Sequence, residues 1–137
     1  MCTSAQEKEI AIVAHRGYWN CDAAGSAKNS LASLKQAQEL GVWGSEFDVN
    51  MSLDGELLVF HDGSVDGKKI EKHPASDFDY YRLKNGEQIP RLDQYLEQAL
   101  KHPETMLVFE LKKHSCDSVE TKAVEASIAK LKEYGLF

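Results

Sequence analysis

The segment from Trp43 to Asp62 constrains the fold of this chain more than any other. Ser45, Phe47 and Val49 alternate with Glu46, Asp48 and Asn50, the period-two pattern of a β-strand. Two carboxylates then share one face, roughly 6–7 Å apart at the backbone. Asp54-Gly55 follows, a dipeptide that tolerates positive φ and marks a hairpin turn. A second strand, Glu56 to Phe60, leads into His61-Asp62. Taken alone, a strand with acids on one face is most simply a half-solvated strand. A histidine at its end is most simply a surface residue. Chemistry enters only if other segments supply matching groups.

With 137 residues the chain makes one domain with a sizeable core. Acids exceed bases to a net charge of −6 and no basic run occurs, which argues against a nucleic-acid partner. No apolar run reaches membrane-spanning length, so no membrane insertion is expected. Cys2, Cys21 and Cys116 are odd in number and lack a CxxC spacing. They argue against a disulfide framework and a structural zinc site, and leave a single disulfide open. Residues 1–9 read as a flexible tail ahead of a domain spanning 10–137. Thr3-Ser4-Ala5 before Gln6 fits the cleavage end of an export signal, implying a periplasmic or secreted protein. The chain as it stands, without the apolar segment of such a signal, would be cytoplasmic. A native N-terminus elsewhere than Gln6 would remove the export reading.

Ile10 to His15 is a continuous apolar run expected to form a strand buried on both faces, ending in the tight turn His15-Arg16-Gly17. Tyr18 to Lys28 is a polar loop. Asn29 or Ser30 caps a helix whose apolar positions are Leu31, Leu34, Ala37 and Leu40, closed by Gly41. Gly63 to Gly86 reads as irregular, with a helical turn near Ser76 to Leu83. A second amphipathic helix covers Asp93 to Lys101 and stops before Pro103. Thr105 to Lys112 is the third core strand, with Met106, Val108, Glu110 and Lys112 on its inner face. Asp117 or Ser118 opens a third helix to about Tyr134, and Leu136-Phe137 reads as the start of a fourth strand.

Strands alternating with helices imply an α/β fold with parallel pairing and right-handed crossovers. His15, Arg16, Glu46, Asp48, Glu110 and Lys112 fall near the C-terminal ends of their strands, where such folds carry active sites. Three carboxylates converging there repel one another unless a cation lies between them. Oxygen ligands suit a hard ion, Mg²⁺ or Ca²⁺. Arg16 and Lys112 suit phosphate oxygens, and the two histidines suit proton transfer at neutral pH. The residues therefore read as a metal-assisted phosphoester-cleaving site, one histidine acting as base or nucleophile and the other as acid.

These markers in this order resemble the glycerophosphodiester phosphodiesterases. They are His15-Arg16-Gly17, Asn29-Ser30, Glu46-x-Asp48, Asp54-Gly55, His61-Asp62, Ile89-Pro90-x-Leu92 and Glu110-x-Lys112. The resemblance implies a TIM (β/α)8 barrel and hydrolysis of small-molecule glycerophosphodiesters to glycerol 3-phosphate and an alcohol, a step of lipid and glycerol metabolism. It implies Glu46, Asp48 and Glu110 as metal ligands, His15 and His61 as the catalytic pair, and Arg16 and Lys112 as phosphate contacts. One departure is Lys28, where that family usually carries glutamate.

A closed barrel takes about 250 residues, so the chain is expected to hold the first half: three core strands, a hairpin strand and helices. The outer strand edges and the inward faces then lack cover. A fragment of a longer protein is the preferred account, ahead of a homodimer of half-barrels. Two other functions compete: a non-catalytic binding or assembly module, and a phosphodiesterase acting on phospholipid head groups. The second is disfavoured because no membrane-docking surface is evident. His73, His102 and His114 are expected to be solvated.

Overall fold

The computed structural model describes residues 10–137. The Thr3-Ser4-Ala5 reading, the 1–9 tail and Cys2 lie outside the described residues. The elements in order are β1 (Val13–Ala14), α1 (Leu31–Leu40), β2 (Gly44–Met51), β3 (Leu57–Val59), β4 (Ser64–Val65), β5 (Lys68–Lys69), α2 (Leu92–Leu100), β6 (Met106–Leu111) and α3 (Asp117–Glu133). Short 3-10 turns occupy Asp22–Ala24, Ile70–Lys72 and Ala75–Phe78.

β2 organises the sheet. Along one edge it pairs in parallel with β1 at Gly44 and Ser45, then antiparallel with β3 from Val49 to Met51. Along its other edge it pairs in parallel with β6 from Gly44 to Val49. The sheet is open: among the described residues, β1 and β6 have no partner on their far edges. The Asp54-Gly55 hairpin forms as expected between β2 and β3, with Gly55 at positive φ.

Helices cover one face. Phe47 and Val49 pack with Leu34, Leu92, Tyr95, Leu96 and Ala99 in the main core. The Phe47 ring centroid lies 4.4 Å from Tyr95 and 5.1 Å from Phe109. α1 starts at Ser30, whose hydroxyl accepts from Ser33 N–H while the Ser33 hydroxyl accepts from Ser30 N–H. The Glu87 carboxylate adds to this cap by accepting from Leu31 and Ala32 N–H, where a negative charge also meets the positive end of the helix dipole. Gly41 closes α1 in the left-handed region at φ 79°.

Several expectations need correction. The apolar run from Ile10 is not buried on both faces: Ile10 is 86% and Ile12 60% exposed, because β1 is two residues long and paired on one edge. Leu40 is exposed at the end of α1, while Gln38 is buried, its amide donating to the Gln98 and Ala99 carbonyls at the end of α2. The stretch after Gly63 is more ordered than irregular. Val65, Ile70, Ala75 and Phe78 form a second core with Leu58 and Ile89 around the β4–β5 hairpin, and the expected helical turn starts at Ala75 and ends at Phe78. Leu136-Phe137 is no strand; the Leu136 N–H turns back to the Leu131 carbonyl. No described helix is long and apolar enough to cross a membrane.

Candidate active site

The turn after β1 builds one wall of the site. Arg16 has φ 59° and Gly17 φ 79°. A Cβ on Gly17 would lie 2.4 Å from the Ser33 hydroxyl oxygen and 2.8 Å from the Ser33 backbone carbon, so only glycine lets the turn press against α1. In that conformation the Arg16 N–H donates to Glu46 Oε1 at 2.9 Å. The Arg16 carbonyl accepts from Asn29 N–H. Asn29, also left-handed at φ 54°, clamps Asp48: its amide donates to Oδ2 at 3.0 Å and its carbonyl accepts from Asp48 N–H at 3.2 Å.

The sheet supplies the acids. Glu46 and Asp48 share a face of β2, and the β2–β6 register sets Glu110 directly opposite Asp48. One carboxylate oxygen from each of the three lies within 4.8 Å of the others. Among the described residues Asp48 Oδ1 is buried without a hydrogen-bond partner, an unmet demand that a cation would satisfy. For a metal–oxygen distance of about 2.3–2.6 Å, ligands around one Ca²⁺ stand no farther apart than about twice that. The acids therefore fit a hard divalent cation. Two cations flank them: Lys112 Nζ is 3.7 Å from Asp48 Oδ1 and 3.5 Å from Glu110 Oε2, and Arg16 Nε is 3.8 Å from Asp48 Oδ2.

Half-buried Glu46 and buried Asp48 respond differently. The Glu46 carboxyl is pushed above its ordinary value, first by burial and then by the Asp48 charge, against the lowering bond from Arg16 N–H. Burial works in the same direction on Asp48, but its polar neighbours, Glu110 and the Asn29 amide foremost, outweigh it and hold that carboxyl below its ordinary value.

His15 extends from the β1 turn, its Nε2 3.8 Å from Glu46 Oε1, and its side chain is largely exposed. His61 follows β3, where the Phe60 N–H donates to the Asp48 carbonyl. The Asn50 amide donates to the Phe60 and Asp62 carbonyls, fixing this corner. His61 Nδ1 lies 2.7 Å from Asp62 Oδ1. Beside His61 opens a cleft of about 300 Å³, lined also by Arg16, Lys28, Asn29, Tyr81 and Lys84.

The structure thus gathers Arg16, Glu46, Asp48, Glu110 and Lys112 into one cluster, with His15 touching its edge and His61 at the adjoining cleft. In sequence, Asn29 reads as a candidate helix cap within the Asn29-Ser30 marker and Asp62 only as part of the His61-Asp62 marker, while Asn50 carries no role. The Asn29-Ser30 pair is the available signal: of the two, Ser30 caps the helix, leaving Asn29 for Asp48. His114 is a correction. It is buried rather than solvated, its Nε2 accepting from Met51 N–H at 3.0 Å behind the site. Among the described residues, Cys21 and Cys116 form no disulfide.

A family profile described as the glycerophosphoryl diester phosphodiesterase family matches residues 15–135. A glycerophosphodiester phosphodiesterase from Caldanaerobacter subterraneus subsp. tengcongensis is 34% identical over 98 residues, covering 63% of this chain and 39% of that protein. Human glycerophosphodiester phosphodiesterase 1 is 30% identical over 128 residues, covering 81% of this chain and 36% of its own length. A crystal structure of a glycerophosphodiester phosphodiesterase from Parabacteroides distasonis superposes with a TM-score of 0.86 at 41% identity, covering 90% of this chain and 51% of that one. A phosphodiesterase from Oleispira antarctica, solved in complex with the product sn-glycerol-3-phosphate, gives a TM-score of 0.72 at 30% identity, with coverage of 89% and 51%. The chain spans less than half the length of these curated relatives and about half of each solved chain. Its open sheet corresponds to part of their TIM barrel.

Proposed function

The chain belongs to the glycerophosphoryl diester phosphodiesterase family, and from that premise we propose that it serves metal-dependent hydrolysis of glycerophosphodiesters to glycerol 3-phosphate and an alcohol. The observation that carries the reading is the cross-strand register of Asp48 and Glu110, which with Glu46 brings three carboxylate oxygens within 4.8 Å. Glu46, Asp48 and Glu110 would hold Mg²⁺ or Ca²⁺. When bound, such an ion polarises the phosphoryl group and offsets its charge. Arg16 and Lys112, already beside the acids, would take the phosphate oxygens.

The histidines divide the proton work. A water oxygen forms the new P–O bond as the P–O bond to the alcohol breaks. His15, on the exposed side of Glu46, takes the proton of the attacking water. His61, with Nδ1 turned to Asp62, presents Nε2 to the cleft and gives its proton to the departing alcohol oxygen. We infer export from Thr3-Ser4-Ala5, and a native N-terminus elsewhere than Gln6 would remove that reading.

The test is hydrolysis of a glycerophosphodiester by the purified chain with added Mg²⁺ or Ca²⁺ and again with excess chelator, scored by glycerol 3-phosphate release. Release that the chelator abolishes supports the reading. Release that survives chelation contradicts the metal, and no release with either ion contradicts catalysis by this chain, in favour of a binding or assembly module. His61→Ala is expected to lower turnover roughly 10²–10⁴-fold with metal binding retained; equal loss of both would contradict its role as acid.

A further inference from the structure

We propose that the cleft beside His61 is the subsite for the leaving alcohol, and that it selects alcohols bearing an anionic group over quaternary ammonium alcohols. The proposal rests on the phosphodiesterase reading for the direction of the ester arm. A phosphate held at Arg16 and Lys112 has His61 on one side, and the arm that receives the His61 proton enters the cleft that His61 lines. At about 300 Å³ the cleft suits a small head group.

Its charge decides what that group can be. Among the described residues, Lys28 and Lys84 add two cations to the lining beyond the phosphate contact Arg16, against the single carboxylate of Asp62. That carboxylate is engaged by His61 at 2.7 Å. Lys28 is held in place, its Nζ 4.6 Å from the centre of the Trp19 ring. Lys84 sits in a tight loop closed by the Leu83 N–H to Glu87 carbonyl bond at 2.7 Å. A quaternary ammonium is bound by open aromatic faces. Here the Trp19 face is covered by Lys28 itself, and Tyr81 meets Phe60 edge to face at 5.8 Å. An alcohol with a carboxylate or phosphate finds two lysines at the cleft instead.

The test titrates two matched probes into the full chain in Mg²⁺, followed by amide NMR: the glycerol 3-phosphate diesters of 3-hydroxypropanoate and of choline. The anionic probe is expected to bind roughly tenfold tighter, a preference that shrinks with added salt because both lysines are exposed. The Lys28→Glu/Lys84→Glu double variant should erase or reverse it. Equal affinities, tighter choline binding, no binding of either probe, or an unchanged preference in the double variant each overturns the proposal. If the double variant does not fold, as its amide spectrum will reveal, the salt dependence of the unmodified chain decides. Phosphorus NMR of the same samples reads cleavage separately. Selective binding without cleavage leaves the charge selectivity standing and counts against the phosphodiesterase reading.

Discussion

On the helix side of β2, Ser45, Phe47 and Val49 are fully buried, the latter two by apolar packing from α1 and α2 and, for Phe47, by Phe109 of β6. On the opposite side Asp48 is just as buried, yet what hides it is polar: the Asn29 amide, Arg16 and Lys112. The first face is apolar apart from the neutral Ser45 and Tyr95 hydroxyls, which are also buried without hydrogen-bond partners among the described residues. The second keeps Asp48 Oδ1 and Arg16 Nε buried without hydrogen-bond partners, an arrangement that costs folding free energy unless a ligand meets it. Equal burial therefore has two meanings on one strand. Packing supplies stability on the helix side, and buried charged groups left without partners mark the binding side.

The contrast can be broken by substitution, beginning with the largest effect. Phe47→Ala removes the ring between Tyr95 and Phe109 and is expected to cost about 3–5 kcal/mol in denaturant unfolding. A loss below about 1 kcal/mol would show that the helix side is not the stabilising one. Gly17→Ala forces a side chain into Ser33 at positive φ and should cost about 1–3 kcal/mol. Because it also shifts Arg16 N–H from Glu46, metal affinity should fall with it. Unchanged stability would mean that the turn relaxes freely.

Glu46→Gln should have the smallest effect on stability, and of opposite sign. The folded carboxyl lies above its unfolded value, so the native state binds the extra proton between the two. The group is then a cost above its folded pKa, and stability from it is regained as pH falls through that value towards the ordinary 4.5. Glutamine removes the cost, so the apo variant should unfold at equal or slightly higher denaturant at pH 7. Its advantage should shrink near pH 4.5, while affinity for the cation drops roughly tenfold or more. A clear destabilisation at pH 7 would contradict the division between the faces.

Local signals made much of this legible. The alternation around Glu46 and Asp48, the Asp54-Gly55 turn, Ser30 and Gly41 at the ends of α1, and the extent of α3 are dictated by nearest neighbours in sequence. What escaped depends on distant partners. His114 is buried because it receives the Met51 N–H from a strand 63 residues away. Glu87 caps α1 across 56 residues. The β4–β5 hairpin has only two residues per strand, one of them Lys68–Lys69, and its order comes from the core beneath it rather than from any periodic pattern. Asn29 was visible as a residue, but its bond to Asp48 depends on how β2 passes beneath it.

The central claim is that the polar face of β2 and β6 is built for a cation. Crystals soaked with Mn²⁺, a redox-stable stand-in with strong anomalous scattering, test it most directly. The account predicts a single anomalous peak bonded to Glu46, Asp48 and Glu110, lost in Glu110→Gln. A peak elsewhere, or none among these three carboxylates while Lys112 stays paired with them, would contradict it.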